Sequence, residues 1–405
     1  MNKESHVVGL DIGGGKTAVI VAQVAAQVGG ENSMRCLAIG TAETKGLRKG
    51  QISNLDLAAT SIRQAVDEAE RLSGVPIESA TLGVGGGYIA GFNSRGGLGL
   101  GNRPREVTRD DVRRSVDAAR QVRLPDGAEV LHVLPQGFWL DAQNGIRDPI
   151  GMVGRQLDVN VHLVTSPAVL AQNMVAAVNR AGLIVSDLVL EPLAAAECVL
   201  SEDERELGAC LLDIGAGTTE LIVYANGAVR HTAAIAIGGD HFTNDLAVGI
   251  RTPIAEAERI KCEEVWSSVE LGEQERSIEI PCVGDRPPRS VPAGQVAEIL
   301  DARAQELLAL VRRELERTAL LTAIPAGLVL VGGGGRLQGL VEMAEKTLAM
   351  PARVGRPRGL AGVPEEAVSP EFAVIVGLAL YGGRAQQARE QQSTFSARLK
   401  GLFLG

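Results

Sequence analysis

An α/β protein built on an internal duplication, with a small α+β insertion and a short amphipathic C-terminal helix, is what this sequence predicts. Three observations carry the prediction. First, Cys210-Leu211-Leu212-Asp213-Ile214-Gly215-Ala216-Gly217-Thr218-Thr219-Glu220 repeats the pattern of the opening Val7-Val8-Gly9-Leu10-Asp11-Ile12-Gly13-Gly14-Gly15-Lys16-Thr17, with Asp213 standing 202 residues, half the chain, after Asp11. In each copy an apolar run ends in Asp, bends through a Gly-rich turn and returns in a second strand-like run, Ala18 to Val21 or Leu221 to Tyr224, which reads as strand, turn and strand. Second, the texture changes across residues 83–163. Third, the chain closes on apolar residues at helical spacing behind a polar stretch.

The turn dictates the chemistry. Glycines let the backbone bend with positive φ and bring successive N–H groups up to a ligand, which makes a nest for anions. Two such nests can clamp one polyphosphate. Asp11 and Asp213 each stand where a strand stops. A carboxylate there suits magnesium, which takes few protein ligands and keeps water and phosphate oxygens. Lys16 adds positive charge, and Thr17, Thr218 and Thr219 add hydroxyl donors. Two commoner phosphate motifs fail. A Walker loop needs glycine five positions before Gly15, where Leu10 stands. A Rossmann fingerprint opens a helix, whereas strand-like residues follow both turns. A lone Gly-rich turn is an ordinary hairpin as readily as a binding loop, but two matched copies half a chain apart are an architectural signal.

Composition bounds the rest. With 405 residues, 45% apolar and 22% charged, the chain has the length for two or more domains and the balance of an ordinary globular protein. A net charge of −9 argues against nucleic-acid partners, and 3% aromatics leave few platforms for stacking bases. Cys36, Cys198, Cys210, Cys262 and Cys282 are scattered without a Cys-x-x-Cys pair, so neither a disulfide framework nor a zinc site is expected. The five histidines are equally dispersed and read as structural or surface groups. Residues 1 to 17 contain no signal-peptide core, and no apolar run approaches the ~18 residues of a spanning helix. The chain is therefore expected in the cytosol unless something holds it to a membrane.

After the first hairpin, Ala38 to Ala42 suggests a third strand, and Leu57 to Leu72 carries helical spacing. Thr81 to Ile89 reads as a strand entering glycines. Thr108 is a candidate N-cap with Asp111 at the third helical position; Glu129 to Pro135 and the alternating Val159 to Val164 complete the insertion as strands. Pro167 to Arg180 reads as an amphipathic helix, and Leu188 to Glu197 as a strand running into a helix, with Pro192 at its start. Glu191, at that junction, either orients a water for attack on a terminal phosphate or simply favours a helix N-terminus.

Thr232 to Asp240 is again a strand into glycines, Gly238 and Gly239, and Ile254 to Lys261 is helical. Val265 to Val291, rich in Pro, charge and short strands, precedes a long helix from Val296 to about Leu321, whose Leu300, Leu307, Leu308, Val311 and Leu315 face a core. Leu328 to Val331 reads as a buried strand ending in Gly332-Gly333-Gly334-Gly335-Arg336, a turn whose bare backbone suits a flat adenine. Arg384 to Ser393 is a linker by composition. Beyond it Phe395, Leu399, Leu402, Phe403 and Leu404, with Arg398 and Lys400 among them, form a short basic amphipathic helix that either lies in a membrane interface or docks on the domain.

Asp11 to Thr17, Glu191-Pro192-Leu193-Ala194-Ala195, Asp213 to Thr219, Gly238-Gly239-Asp240 and Gly332 to Gly335 resemble, in order and spacing, the phosphate 1, connecting, phosphate 2 and adenosine segments of the actin-like ATPase superfamily. Within it the chain resembles the FtsA family of bacterial cell-division actins, through His132-Val133-Leu134-Pro135-Gln136, Gly145 to Gly151 and Val161 to Thr165. The resemblance implies a two-lobed fold of duplicated RNase H-like lobes with ATP in the cleft. One lobe core is 1–82 with 164–190, an SHS2-like insertion is 83–163, and the second lobe core is 191–250 with 319–383. An outer subdomain is 251–318, a linker 384–394 and a membrane-targeting helix 395–405.

By position, Asp11 and Asp213 would bind Mg2+ through water. Gly14, Gly15, Lys16, Thr17, Gly215, Ala216, Gly217, Thr218 and Thr219 would bind phosphates. Gly238, Gly239, Glu258, Lys261, Gly333, Gly334, Gly335 and Arg336 would surround the nucleoside. The resemblance further implies filaments on the cytoplasmic face of the bacterial inner membrane at the division site, at most slow ATPase activity, and recruitment of other divisome membrane proteins. Phe395, Arg398, Leu399, Lys400, Leu402 and Phe403 would meet an anionic lipid surface, and the C-terminal tail of FtsZ, the tubulin homologue, would dock on 251–318. The competing expectation is a small-molecule kinase of the sugar-kinase branch, which the cleft motifs alone do not separate from the first. A kinase has no use for a membrane helix.

Overall fold

Strand-forming residues on both sides of each Gly-rich turn fold back into antiparallel hairpins, and each hairpin seeds a sheet. The computed structural model describes residues 5–24, 34–263, 277–282 and 287–402, with side chains described as far as Arg389. In chain order the elements are β1 (Ser5–Ile12), β2 (Lys16–Val24), β3 (Met34–Glu43), β4 (Leu47–Arg48), β5 (Gln51–Ile52), α1 (Leu55–Ser73), β6 (Ser79–Val84), β7 (Ala90–Gly99), β8 (Arg105–Glu106), α2 (Arg109–Arg120), β9 (Ala128–Leu140), β10 (Gln143–Ile146), β11 (Val153–Gly154), β12 (Gln156–Pro167), α3 (Ala168–Arg180), β13 (Ile184–Leu190) and α4 (Glu191–Val199). The second half continues with α5 (Glu202–Leu207), β14 (Ala209–Ile214), β15 (Thr219–Ala225), β16 (Ala228–Ile235), α6 (Gly239–Gly249), α7 (Ile254–Glu263), β17 (Ser277–Ile280), β18 (Arg289–Pro292), α8 (Ala293–Arg317), β19 (Leu328–Val331), α9 (Leu340–Leu348), β20 (Ala352–Val354) and α10 (Ala373–Leu402).

Two compact units result, one from residues 1–84, 172–199 and 356–405, the other from 85–171 and 200–355. The first holds a five-stranded sheet in the order β13-β6-β1-β2-β3 and the second one in the order β16-β15-β14-β19-β20. The two orders are the same arrangement. In each, a hairpin and its third strand are antiparallel, a further strand pairs in parallel with the hairpin's first strand, and a last one pairs in parallel with that. The sequence repeat thus marks a duplicated architecture.

In the first sheet Gly9 pairs with Ile20 and Ile20 with Ile39, whereas Leu10 pairs with Val19 and Val19 with Gly40. Paired residues share a face. The Gly9 row meets Leu378 and Ile375 of α10, and the Gly40 row meets Ala65 and Ala69 of α1, so helices cover both faces. The C-terminal helix therefore packs on β1 and on α4, and residues 356–383 and 191–199 belong to the first unit, where sequence order alone assigned them to the second. The reason is local: Gly377 lies against the Ala194 carbonyl, so close that a Cβ would overlap it, and only small residues let the two helices approach this far. α10 also runs unbroken through 384–394, so the segment read as a linker is helical. From Arg384 to Lys400 it has neither Pro nor Gly and is filled mostly with good helix formers. The side chains of Phe395, Arg398, Leu399, Lys400 and Leu402, and all of Phe403, lie outside the described residues.

The second unit buries Leu212, Leu221, Phe242, Leu246, Ile260, Leu300, Leu307, Leu308, Val311, Leu315 and Leu340 in one core. α8 supplies the stripe that its spacing predicted, ending at Arg317. Of the short-strand region, β17 pairs with β18, and residues 264–276 and 283–286 lie outside the described residues. The insertion is a four-stranded sheet, β10-β9-β12-β7, backed by α2. Thr108 and Asp111 form the expected capping box, and Arg105 grips Asp111 with two hydrogen bonds of 2.6 Å.

The insertion also closes the edge strand β16. Gln136 Nε2 donates to the Val229 carbonyl at 2.8 Å and Asn93 Nδ2 to the Arg230 carbonyl at 3.3 Å. His162, fully buried, lies 2.7 Å from Asn93 Oδ1 through Nδ1 and 2.9 Å from Thr232 Oγ1 through Nε2. Because the Asn93 oxygen only accepts, Nδ1 carries the proton and Nε2 accepts from the threonine. Burial, with the neighbouring His231, pushes the His162 pKa down from 6.5 to about 4. A depressed histidine contributes stability that is complete above its unfolded pKa and is lost as pH falls toward the folded one. Acidification from pH 6.5 to 4 is expected to remove about 2–3 kcal/mol through this group. His162→Gln should lose correspondingly less over that range in denaturation at each pH, and parallel curves would count against the assignment.

Candidate functional site

In the first unit the ladder closes with Ile12 opposite Thr17, leaving Gly13 to Lys16 as the turn. In the second it closes with Ile214 opposite Thr219, leaving Gly215 to Thr218. The turns are equal in length and equivalent in position. The Gly215 N–H donates to the Thr218 carbonyl at 2.9 Å, tightening the second. Gly14 and Gly15 are exposed, as befits backbone offered to a ligand, and Lys16 is half-buried.

Two of the expected hydroxyl donors are turned away. Thr17 is fully buried with Oγ1 2.8 Å from Thr44 Oγ1, and Thr219 is fully buried with Oγ1 donating to the Ile237 carbonyl at 2.8 Å. As the residues that close the ladder, both are inward struts whose hydroxyls have partners within the fold. Thr218 keeps a part-exposed position.

Asp11 ends β1 opposite Ala18. Although the residue is partly exposed, its Oδ1 is sealed from solvent and has no hydrogen-bond partner among the described residues. Burial raises the carboxyl pKa from 3.8 to about 6, with the Lys16 charge offsetting part of the shift. A buried carboxylate oxygen lacking a partner is costly unless a cation satisfies it, so this residue fits a hydrated Mg2+. Asp213, the equivalent residue opposite Glu220, is also buried, and its Oδ1 lies where a Cβ on Gly332 would fall. Gly332 itself has φ +75°, a left-handed conformation natural to glycine.

The N-terminus of α6 locks the second turn. The Gly239 and Asp240 N–H groups donate to the Gly215 and Ala216 carbonyls at 2.9 and 2.8 Å. Gly238 lies so near that a Cβ would stand 2.6 Å from both carbonyl oxygens. Lys261, nearly buried, donates to the Gly239 carbonyl at 3.2 Å, to Thr243 Oγ1 at 2.9 Å and to Glu258 Oε2 at 2.7 Å. Burial works against the Glu258 charge, but the bonds from Lys261 and Thr243 outweigh it and hold the carboxyl below its usual range. The expected nucleoside residues Glu258 and Lys261 are thus brought together beside Gly239.

After β19, Gly333 to Arg336 form one 3₁₀ turn in which Gly333 and Arg336 are exposed, while Gly334 packs on Ile214 and Gly335 is buried. Glu191, in the first unit, is the first residue of α4, part-buried, with its side chain beside Gly83. Sequence reading missed Thr243, which ties Lys261 to Glu258, and Glu371 with Phe372. These last two hold Lys16, with Nζ 3.6 Å from Glu371 Oε1 and 3.4 Å from the Phe372 ring centroid. No spacing rule links residues so far apart. Among the described residues no group of three or more His, Cys, Asp or Glu is placed to hold a metal, and no helix is long and apolar enough to cross a membrane.

Duplicated five-stranded sheets, each opening on an Asp-terminated hairpin with a Gly-rich turn, define an actin-like ATPase fold. Solved structures share it: the PilM–PilN type IV pilus biogenesis complex (TM-score 0.67, 19% identity, covering 94% of this chain and 99% of that one) and MreB5 of Spiroplasma citri bound to ADP (TM-score 0.56, 15% identity, 95% and 98%). A model of the cell division protein FtsA matches residues 210–377, and one of the SHS2 domain inserted in FtsA matches residues 86–165. FtsA of Pseudomonas aeruginosa is 42% identical over 94% of this chain and 90% of its own length. FtsA of Escherichia coli is 36% identical over 93% and 90%, and that of Bacillus subtilis 34% over 100% and 87%. The chain belongs to the FtsA family of cell division proteins, which decides against the kinase branch.

The raised Asp11 pKa gives a test without ligand. A carboxyl whose folded pKa exceeds its unfolded value contributes stability that is complete below about pH 4 and is lost as pH rises through about 6. Asp11→Asn should therefore raise the melting temperature of the nucleotide-free protein at pH 7.5 and flatten that loss. A melting temperature unchanged or lowered would mean that the carboxylate is already satisfied.

Proposed function

We propose that the chain binds Mg2+–ATP through its two phosphate hairpins, polymerises on the cytoplasmic face of the inner membrane and tethers FtsZ filaments there, with hydrolysis slow or regulatory. The observation that carries this reading is the matched pair of Asp-ended turns, one of which keeps a sealed carboxylate oxygen without a partner among the described residues. Bound Mg2+ supplies charge to neutralise the phosphates. Asp11 and Asp213 hold its waters, the exposed N–H groups of Gly14 and Gly15 and the Gly215 to Thr218 turn receive phosphate oxygens, and Gly333 to Arg336 with the Glu258–Lys261 pair flank the nucleoside. Glu191 orients the attacking water. MreB5 of Spiroplasma citri, of the same fold, was solved with ADP and with AMPPNP, which supports the nucleotide assignment.

Phe395, Leu399, Leu402 and Phe403, with Arg398 and Lys400, form the lipid-facing surface. Two cations and the few apolar residues at the end of α10 bind weakly alone, and repetition along a filament multiplies the effect. The FtsZ tail docks on residues 251–318. Arg251 and Arg289 stand with Cys282, Pro287 and Pro288 along an open depression in that region. Other divisome membrane proteins are recruited to the assembled polymer.

Co-sedimentation with anionic vesicles tests the tether. The full chain should pellet more with Mg2+–ATP, and a chain ending at Gln392 should stay in the supernatant while binding ATP normally; vesicle binding by the truncated chain would sink the tether. Asp213→Ala should weaken Mg2+-dependent ATP binding by about 10- to 100-fold in a calorimetric titration. Unaltered affinity would refute the metal assignment.

A further inference from the structure

The side chain that should meet phosphate is already engaged. Lys16 Nζ lies 3.6 Å from Glu371 Oε1 and 3.4 Å from the centroid of the Phe372 ring, which it faces as a cation over a π-surface. Both ion-pair partners are part-exposed, with side chains 32% and 25% accessible, so the contact is open to competition. Glu371 and Phe372 close the short helical turn Pro370–Phe372, and α10 starts at the next residue. Phosphate bound in the Gly13 to Lys16 turn and the Glu371 carboxylate are both anions that draw on one ammonium group, so the position that best serves one weakens its contact with the other.

We propose that Glu371 and Phe372 form an internal competitor for Lys16, a latch that lowers affinity for nucleotide phosphates and that phosphate capture opens at the N-terminal end of α10. The latch rests on the nucleotide reading above. It assigns to Glu371 and Phe372 a positioning role, since they act on phosphate only through Lys16. Its two contacts differ in kind: the ion pair weakens with salt, whereas the ring contact is retained when Glu371 is neutral. Opening it removes both contacts from the turn Pro370–Phe372, which leads directly into α10, the helix whose far end carries the tail residues.

The experiment measures Mg2+–ATP dissociation constants by calorimetry for the full chain, Glu371→Gln, Phe372→Leu, Lys16→Gln and the double variant Lys16→Gln/Glu371→Gln. Glu371→Gln should tighten ATP by about two- to fivefold, the size of a part-exposed ion pair, and Phe372→Leu by a smaller factor in the same direction. In the Lys16→Gln background, Glu371→Gln should change nothing, because the competitor has lost its target. Tightening that is abolished by Lys16→Gln supports the latch. Unchanged or weaker binding by both Glu371→Gln and Phe372→Leu, or tightening by Glu371→Gln that persists without Lys16, overturns it. If the unaltered chain binds no nucleotide, the nucleotide reading itself fails, an outcome distinct from all of these.

Discussion

The ladder registers that set Ile12 opposite Thr17 and Ile214 opposite Thr219 are the constraint on which the rest depends. Each closes a turn of fixed length and fixes the face to which the preceding Asp points. A slip of one residue would invert every side chain of the hairpin and carry the carboxylate to the opposite face of the sheet. Buried hydroxyl bonds pin both registers, Thr17 to Thr44 and Thr219 to the Ile237 carbonyl. A β-branched residue with an internal hydrogen bond resists sliding both by packing and by the cost of a stranded polar group. The exposed glycines are free to serve a ligand because the threonines behind them do not.

The duplication was legible because both turns reuse the same residue types at one spacing, and a strand ending in Asp before glycines leaves few alternatives. Residue-level roles were less legible. Whether Thr17 or Thr218 offers its hydroxyl depends on which residue closes the ladder, and a string of Gly and Thr does not say. Residues 356–383 were misassigned because chain order suggests the nearer repeat, whereas the contact of Gly377 with Ala194 joins α10 to α4. Small residues leave no periodic signature. The link from Lys16 to Glu371 is invisible in sequence for the same reason as any long-range ion pair: it appears only when two surfaces are brought together.

The insertion is held to the second core sheet by polar means. Asn93, Gln136, His162 and Thr232 satisfy one another and the carbonyls of β16, where an apolar contact would have served for adhesion alone. His162 and Thr232 are the buried members of this set, and a buried polar group costs free energy unless it finds a partner, so their bond favours one placement of the insertion. The amides also occupy carbonyls of an edge strand that would otherwise be open to strands of other chains.

The unbroken course of α10 alters what the tail transmits. A coil would let the terminal residues turn freely, so that only its length would matter. A helix conveys phase: each residue added or removed between the body and the last turn rotates everything beyond it by about 100° and shifts it by about 1.5 Å. In a chain of this kind the angle at which the terminus presents itself is encoded in residue count, and natural changes in that stretch would be expected to come in steps of three, four or seven rather than one.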